Sequence, residues 1–357
     1  MTTRGPVGDD ALSGAGQGPA GSDDHPDDSA DGATMRAAVV CRHGEPPVYQ
    51  THPAPCRGPG QALIKVTAAP INPLDLLCAS GTSYFGPPPL PYVPGAQGVG
   101  IIAAADSRPA GERVWFSCDA GMRPGDGAMA EFCVAPEAGL LPLPDRVSDD
   151  LAAALGLSAL AAWMALSLRG GLTPGEHVLI LGASGTVGQV AVQAARLLGA
   201  ANVVGACRDA YGRRRALDLG ADAVADLTGD DPQIIARRLA GAANGRIDLV
   251  IDPVWGIPAA AALRVLSPNG RLVNLGSSAA AETALSSATL RSGGLSVLGY
   301  TNNALSAEQK AAALAEILAH AAAGRLTTDR ESYPLSKAAE AWSHSGRTPH
   351  HRGVLIP

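Results

Sequence analysis

The stretch HVLILGASGTVGQVAVQAARLLG, residues 177–199, decides the architecture. It opens with an apolar run, HVLILG, of the kind that forms a strand buried on both faces. From Thr186 the period changes: Val187, Val190, Ala191, Ala194, Leu197 and Leu198 recur at helical spacing on one face. Gly199 suits the left-handed position that ends a helix. Between strand and helix stand Gly182, Ala183, Ser184, Gly185, Thr186, Val187 and Gly188. Glycines there permit a tight turn and close backbone approach, and the unpaired N–H groups of the helix start face a pyrophosphate. All seven residues are candidate dinucleotide contacts; a glycine-rich turn without a ligand is the alternative reading.

The alternation continues downstream. NVVGAC, ADAVADL, RIDLVID and RLVNLG read as strands, separated by the helical stretches AYGRRRALDLG, DPQIIARRLAGAA and IPAAAALRVLSPNG. Strand–helix alternation demands crossover connections, hence a parallel sheet covered on both faces. LSVLGY, residues 295–300, adds a late apolar strand, expected at a sheet edge. A helix follows from Ser306, whose hydroxyl and Gln309 form a capping box, to Gly324.

Upstream the texture differs. RAAVVC, QALIKVTAA, GVGIIAAA, ERVWFSC and AEFCVAP are short apolar runs broken by glycine and proline, which predicts an irregular β domain. The proline-rich stretch from Gly86 to Gly95 is expected to be a loop, because proline offers no N–H to a ladder. An Ala/Leu-rich helical stretch, DRVSDDLAAALGLSALAAWMALSLRGGL (145–172), follows, and TTDRESYPL and RGVLIP near the C-terminus are expected to return to the first domain. The first 34 residues are Gly, Asp, Ser, Ala and Pro with almost nothing to bury, so no fold is expected there. The expected organisation is therefore a tail (1–34), a β domain (35–155), a dinucleotide-binding domain (156–304) and a closing segment (305–357).

Composition narrows the function. A net charge of −6 argues against a nucleic-acid partner, whose backbone needs a positive surface. No apolar run is expected to reach the ~20 residues of a membrane span. The six cysteines contain no Cys-x-x-Cys pair and suggest reduced thiols in a cytoplasmic setting.

Cofactor choice turns on the end of the second strand of the alternating unit. Twenty residues beyond Gly188 stands Arg208, where enzymes specific for NAD usually place an acid. An arginine there favours a 2′-phosphate, with Arg213 adding charge, so NADPH is expected; Asp209 next door is the argument for NAD. Asn274 and Gly276 stand at a strand end on the ligand side of such a sheet and are further candidate contacts, as is the DPVWG run (252–256), where Trp255 either packs or approaches the cofactor.

Taken in order, INPLD (71–75), PYVPGAQGVG (91–100), GERVW (111–115), AEFCVAP (130–136), GASGTVG (182–188), LGADAV (219–224), DLVIDPVWG (248–256) and GRLVNLG (270–276) resemble the medium-chain dehydrogenase/reductase superfamily, and within it the zinc-independent quinone oxidoreductases. The resemblance covers Met35 to Pro357. It implies a GroES-like irregular β-barrel domain plus a Rossmann doubly wound parallel-sheet domain, an α/β fold. It implies a homodimer paired through the late edge strand. It also implies NADPH-dependent hydride transfer to a quinone or an α,β-unsaturated carbonyl compound, a small-molecule substrate. An enoyl reductase acting on a thioester or polyketide intermediate, and a non-catalytic NADPH-binding protein, are the alternatives.

The zinc branch of the superfamily places a cysteine where Asn72 stands, and a Gly-His-Glu run where Gly95-Ala96-Gln97 stands. Catalytic zinc needs three N, S or carboxylate donors, so no metal is expected. The resemblance assigns catalysis to Tyr84, as donor to the carbonyl, and to Asn72, which orients nicotinamide or substrate or else caps a turn. Tyr92 is the rival donor, with packing the simpler reading.

Overall fold

Proline and glycine cut the N-terminal half into short pieces. In the computed structural model, which describes residues 32–347 and 350–357, those pieces become β1 (Thr34–Val39), β2 (Val48–Pro53), β3 (Gln61–Pro70), α1 (Pro73–Ala79), β4 (Gln97–Ala104), β5 (Arg113–Ser117), β6 (Phe132–Pro136) and β7 (Leu141–Pro142). The tail expected to carry no fold falls outside the described residues up to position 31, and Thr34 already belongs to β1.

Strand β3 is the spine of this half, pairing antiparallel with β4 along one edge and with β6 and the C-terminal strand along the other. Its register slips between Leu63 and Ile64 and again between Val66 and Ala68, the irregularities that curl a sheet toward a barrel.

The second half runs α2 (Asp149–Met164), β8 (His177–Leu181), α3 (Thr186–Leu197), β9 (Asn202–Cys207), α4 (Ala210–Asp218), β10 (Ala223–Asp226), α5 (Pro232–Ala242), β11 (Leu249–Asp252), α6 (Gly256–Leu263), β12 (Arg271–Asn274), α7 (Ser287–Gly293), β13 (Ser296–Gly299) and α8 (Ala307–Ala322). Six of these strands form a parallel sheet in the order β10-β9-β8-β11-β12-β13. Successive side chains feed opposite cores: Val178 and Ile180 of β8 join one cluster, Leu179 and Leu181 the other. That two-sided burial is why the strand reads as an unbroken apolar run. The order reverses at β8 and β11, which opens a crevice beyond their carboxyl ends.

The chain then returns as β14 (Arg330–Pro334), α9 (Ala338–Ser345) and β15 (Arg352–Ile356), with β15 lying between β14 and β3. Ser306 and Gln309 form the expected capping box on α8.

One expectation needs correction. The helical stretch Asp149–Arg169 is long and apolar enough to cross a membrane, although 72% of its apolar window is buried inside the molecule. Its partners explain the composition. Ala152–Leu155 and Ala159 share one core with Ala68, Val99 and Trp115 of the first sheet, with Val178 of the second and with Val190 of α3. Helix α2 is apolar all round because it welds two sheets together.

Candidate active site

The turn after β8 is built by contacts that exclude side chains. Gly182 has φ 64°, and a Cβ there would sit 2.7 Å from Val254 Cγ1. A Cβ on Gly188 would overlap the Gly182 carbonyl oxygen, so the first turn of α3 closes directly onto the loop. Gly185 is the N-cap of α3 and has no side chain to cap it. The N–H groups of Thr186, Val187 and Gly188 find no acceptor among the described residues. A helix start with open donors, two close backbone approaches and a glycine cap fits a pyrophosphate. Ala183, Ser184 and Thr186 are themselves buried, so they contribute backbone and shape.

Four arginines follow β9, and their pairing separates them. Arg213 is 3.2 Å from Asp226 and donates to the carbonyls of Cys207 and Arg208; Arg214 pairs with Asp218 at 3.0 Å and Arg215 with Asp329 at 2.7 Å. Arg208 alone of the four is exposed with no acidic partner among the described residues. Asp209 caps α4, its Oδ1 accepting from Gly212 N–H at 2.6 Å. The acid that argued for NAD is therefore committed to a helix end. Burial pushes the neighbouring Cys207 thiol up to about 11, which leaves it a packing residue.

Across the crevice, Asp252 ends β11 fully buried. Its Oδ1 accepts from Val254 N–H (3.0 Å) and Trp255 N–H (2.8 Å), and its Oδ2 accepts from Asn274 Nδ2 (3.1 Å). Burial pushes this carboxyl above its usual range, against the opposing pull of those bonds. They hold Trp255 at φ 60°, a conformation rare for a bulky residue. The Trp255 ring packs on the α5–α6 core. Asn274 also donates to the Gly276 carbonyl at 2.8 Å, so its amide ties the two loops together. A Cβ on Gly276 would lie 2.6 Å from the Pro253 oxygen, the reason for glycine there.

The two loops that carry the superfamily's metal positions are joined by Asp75. Its Oδ2 accepts from Asn72 N–H at 2.8 Å and its Oδ1 from Ala96 N–H at 2.9 Å. Burial pushes the Asp75 pKa up, opposed by those hydrogen bonds, by the neighbouring Asn72 side-chain amide and by Arg352. Arg352, on β15, donates to the Ile71 carbonyl (2.6 Å) and to Ser158 Oγ (3.0 Å), and burial draws its pKa down to about 10.

Asn72 is 3% exposed; its Oδ1 accepts from Gln97 Nε2 at 3.3 Å, while its Nδ2, near the Asp75 carboxylate, is buried with no well-formed hydrogen bond among the described residues. A buried amide N–H with nothing to donate to costs roughly 1–3 kcal/mol, unless a ligand completes it.

Tyr84 stands apart from this cluster. Ser83 is buried, its Oγ accepting from Phe85 N–H, and the turn it makes leaves Tyr84 77% exposed with its ring 4.3 Å from that of Phe85. Tyr92 is buried between Val40 and Gly121, its hydroxyl without a hydrogen-bond partner among the described residues, and burial pushes the phenol upward.

Residues 58–145 match the alcohol dehydrogenase GroES-like domain, and residues 186–319 match the zinc-binding dehydrogenase domain. Human quinone oxidoreductase is 30% identical over 315 residues, 86% of this chain and 92% of the human protein. The chain belongs to the medium-chain dehydrogenase/reductase superfamily, in its quinone oxidoreductase branch. A mycobacterial quinone oxidoreductase superposes with a TM-score of 0.80 at 28% identity, over 90% of this chain and all of the other. A mycobacterial protein solved with NADPH superposes as well, with a TM-score of 0.80 at 27% identity and the same coverage.

The second domain's family is described by zinc, and the residues here do not fit that ion. Ala96 offers no donor, and the Gln97 amide is saturated by protein partners. No group of three His, Cys, Asp or Glu able to hold a metal occurs among the described residues.

Sequence reading missed Asp75, Trp115, Gly156 and Arg352, and weighed Gln97 only as a lost ligand. One signal was available: an isolated glycine, Gly156, inside an otherwise unbroken helical pattern.

Proposed function

We propose that this member of the quinone oxidoreductase branch reduces conjugated carbonyl compounds, quinones or enones, with hydride from NADPH and without a metal. The observation that carries the reading is the buried Asn72 Nδ2, at a superfamily metal position, with no well-formed hydrogen bond among the described residues. A neutral donor held there completes its hydrogen bonding on a ligand oxygen and stabilises negative charge that develops on it. Conjugated acceptors suit such a site, because their charge spreads to the carbonyl oxygen and needs no Lewis acid.

Cofactor choice is supported by Arg208, just beyond β9 and with no acidic partner among the described residues, and by Asp209, already spent on α4. Bound NADPH supplies the hydride, and the open N–H groups of α3 hold its pyrophosphate. Tyr84 and Asn72 retain their proposed catalytic roles. Tyr84, exposed beside Phe85, acts as proton donor once substrate is seated; Asn72 orients the reacting oxygen. A homodimer is proposed through β13, which pairs with β12 on one side only among the described residues and exposes Val297. The six free cysteines suit a reducing, cytoplasmic setting.

The test uses 4-deuterated NADPH with a quinone and, separately, a crotonyl thioester. Deuterium transfer to quinone or enone acceptors supports the reading, and preferential transfer to the thioester favours the enoyl reductase alternative. NADPH binding with no transfer to any acceptor marks a non-catalytic binder and overturns it.

A further inference from the structure

Gln97, at the start of β4, is fully buried and makes four hydrogen bonds through one carboxamide. Its Oε1 accepts from Trp115 Nε1–H (3.1 Å) and Leu157 N–H (2.8 Å); its Nε2 donates to the Ala153 carbonyl (3.3 Å) and Asn72 Oδ1 (3.3 Å). Two acceptor and two donor positions are all an amide side chain has.

The two α2 partners are four residues apart. In a continuous helix the Leu157 N–H would donate to the Ala153 carbonyl. Here α2 leaves helical geometry at Gly156 (φ 19°, ψ −121°), and the Gln97 amide stands between the separated groups and satisfies both. Only glycine tolerates the insertion: a Cβ at 156 would overlap Gln97 Oε1 and lie 2.7 Å from Trp115 Nε1. Asn302 Nδ2 donates to the Leu157 carbonyl at 3.0 Å and steadies the break from another side.

This arrangement has a consequence for polarity. Trp115 and the Leu157 N–H are obligate donors and the Ala153 carbonyl is an obligate acceptor, so the Gln97 amide cannot be turned end for end. Its remaining N–H must point at Asn72, which must answer with Oδ1. From this we infer that Gln97 is a positioning residue: the broken α2 ladder fixes its orientation, and it in turn makes Asn72 present N–H to the cleft and never C=O. The site thereby selects ligands that place an acceptor oxygen against Asn72. This rests on the proposed role of Asn72 in the cleft.

A double-mutant cycle measures the coupling. Asn72→Ala is expected to lower kcat roughly 100-fold, the scale of one lost charge-stabilising donor. Gln97→Met should lower kcat similarly with little change in NADPH affinity, and should cause less than about a twofold further loss on the Asn72→Ala background. Multiplying losses, or an unchanged kcat in Gln97→Met, overturn the inference.

Since Gln97→Met removes four hydrogen bonds, Gln97→Glu serves as the shape-preserving partner. An ionised carboxylate in place of the amide only accepts, so it opposes the Ala153 carbonyl and draws the Asn72 N–H toward itself. Protonation restores a donor. The neighbouring charged groups are Asp75, which holds the Asn72 and Ala96 N–H groups, and Arg352, linked through Ser158 to α2. In protein labelled with ¹⁵N-asparagine and without cofactor, the Asn72 side-chain amide resonance of Gln97→Glu should shift reversibly on acidification, while that of wild type stays fixed. A resonance indifferent to pH in both proteins overturns the inference. Because this readout needs no turnover, an inactive wild type would count against the proposed reaction and leave the Gln97–Asn72 coupling to be judged separately.

Discussion

Gly182 and Val254 meet across the reversal point of the parallel sheet, one at the end of β8 and the other just beyond β11, with room between them only for a hydrogen at Cα. The two loops flanking the dinucleotide crevice are thus one packed unit. Gly182→Ala should fold, at a cost of about 1–3 kcal/mol for its left-handed backbone, and should lose NADPH affinity more than tenfold as the turn opens. Calorimetric titration beside thermal melting separates the two effects; tight NADPH binding by the variant would contradict this packing argument.

Arg208 should discriminate between the two nicotinamide dinucleotides. Replacing it with serine removes a charge-assisted contact of about 1.5–3 kcal/mol, so the Kd for NADPH should rise roughly tenfold to a hundredfold while that for NADH stays put. Equal weakening of both would place the arginine outside the 2′-phosphate site.

Tyr84 is the exposed member of the proposed pair. Its replacement by phenylalanine keeps the tilted ring contact with Phe85 and removes only the hydroxyl. Turnover of a conjugated acceptor should fall about 100-fold or more, the lower range for a lost proton donor, with NADPH affinity unchanged. Unaltered turnover would transfer the donor role elsewhere.

Metal removal should change nothing. Purification through a strong chelator is expected to leave both turnover and melting temperature where they were, because Asn72, Ala96 and Gln97 cannot together bind zinc. Stoichiometric zinc by elemental analysis, with activity lost on its removal, would refute the metal-free site.

Acid sensitivity should register at Glu176. Hydrogen bonds from Arg271, at 2.7 Å to each carboxylate oxygen, hold its pKa below 4.5. A depressed carboxyl contributes stability above its unfolded value and loses it as pH falls through the folded one. Glu176→Gln should therefore melt below wild type at neutral pH, and the gap should narrow as pH drops below 4.5. A gap that stays constant across that window would assign the stability to packing instead.

How much of this was legible beforehand depended on the range of the forces involved. The capping box at Ser306 and the strand–turn–helix of 177–199 are local patterns, and both appear as expected. Helix α1 was not anticipated: it is only seven residues long, too short for a periodic signal. The stretch Asp149–Arg169 meets the length and apolarity of a membrane span against expectation, because burial between two sheets demands the same composition. Arg208 was singled out by counting residues, but its difference from Arg213, Arg214 and Arg215 lay in which carboxylates the fold brought near the other three.

The sequence by itself determined the parallel sheet, the dinucleotide turn and the replacement of the metal-ligand residues, since each is written in residue type and short-range spacing. Tertiary structure alone decided that Gln97 enters a gap in α2, that Asn72 is left with a spare donor, and that Arg352 reaches back 281 positions to the Ile71 carbonyl. Those facts depend on which polar groups meet when distant segments are buried together, and a buried hydrogen bond can be satisfied by partners at any separation along the chain.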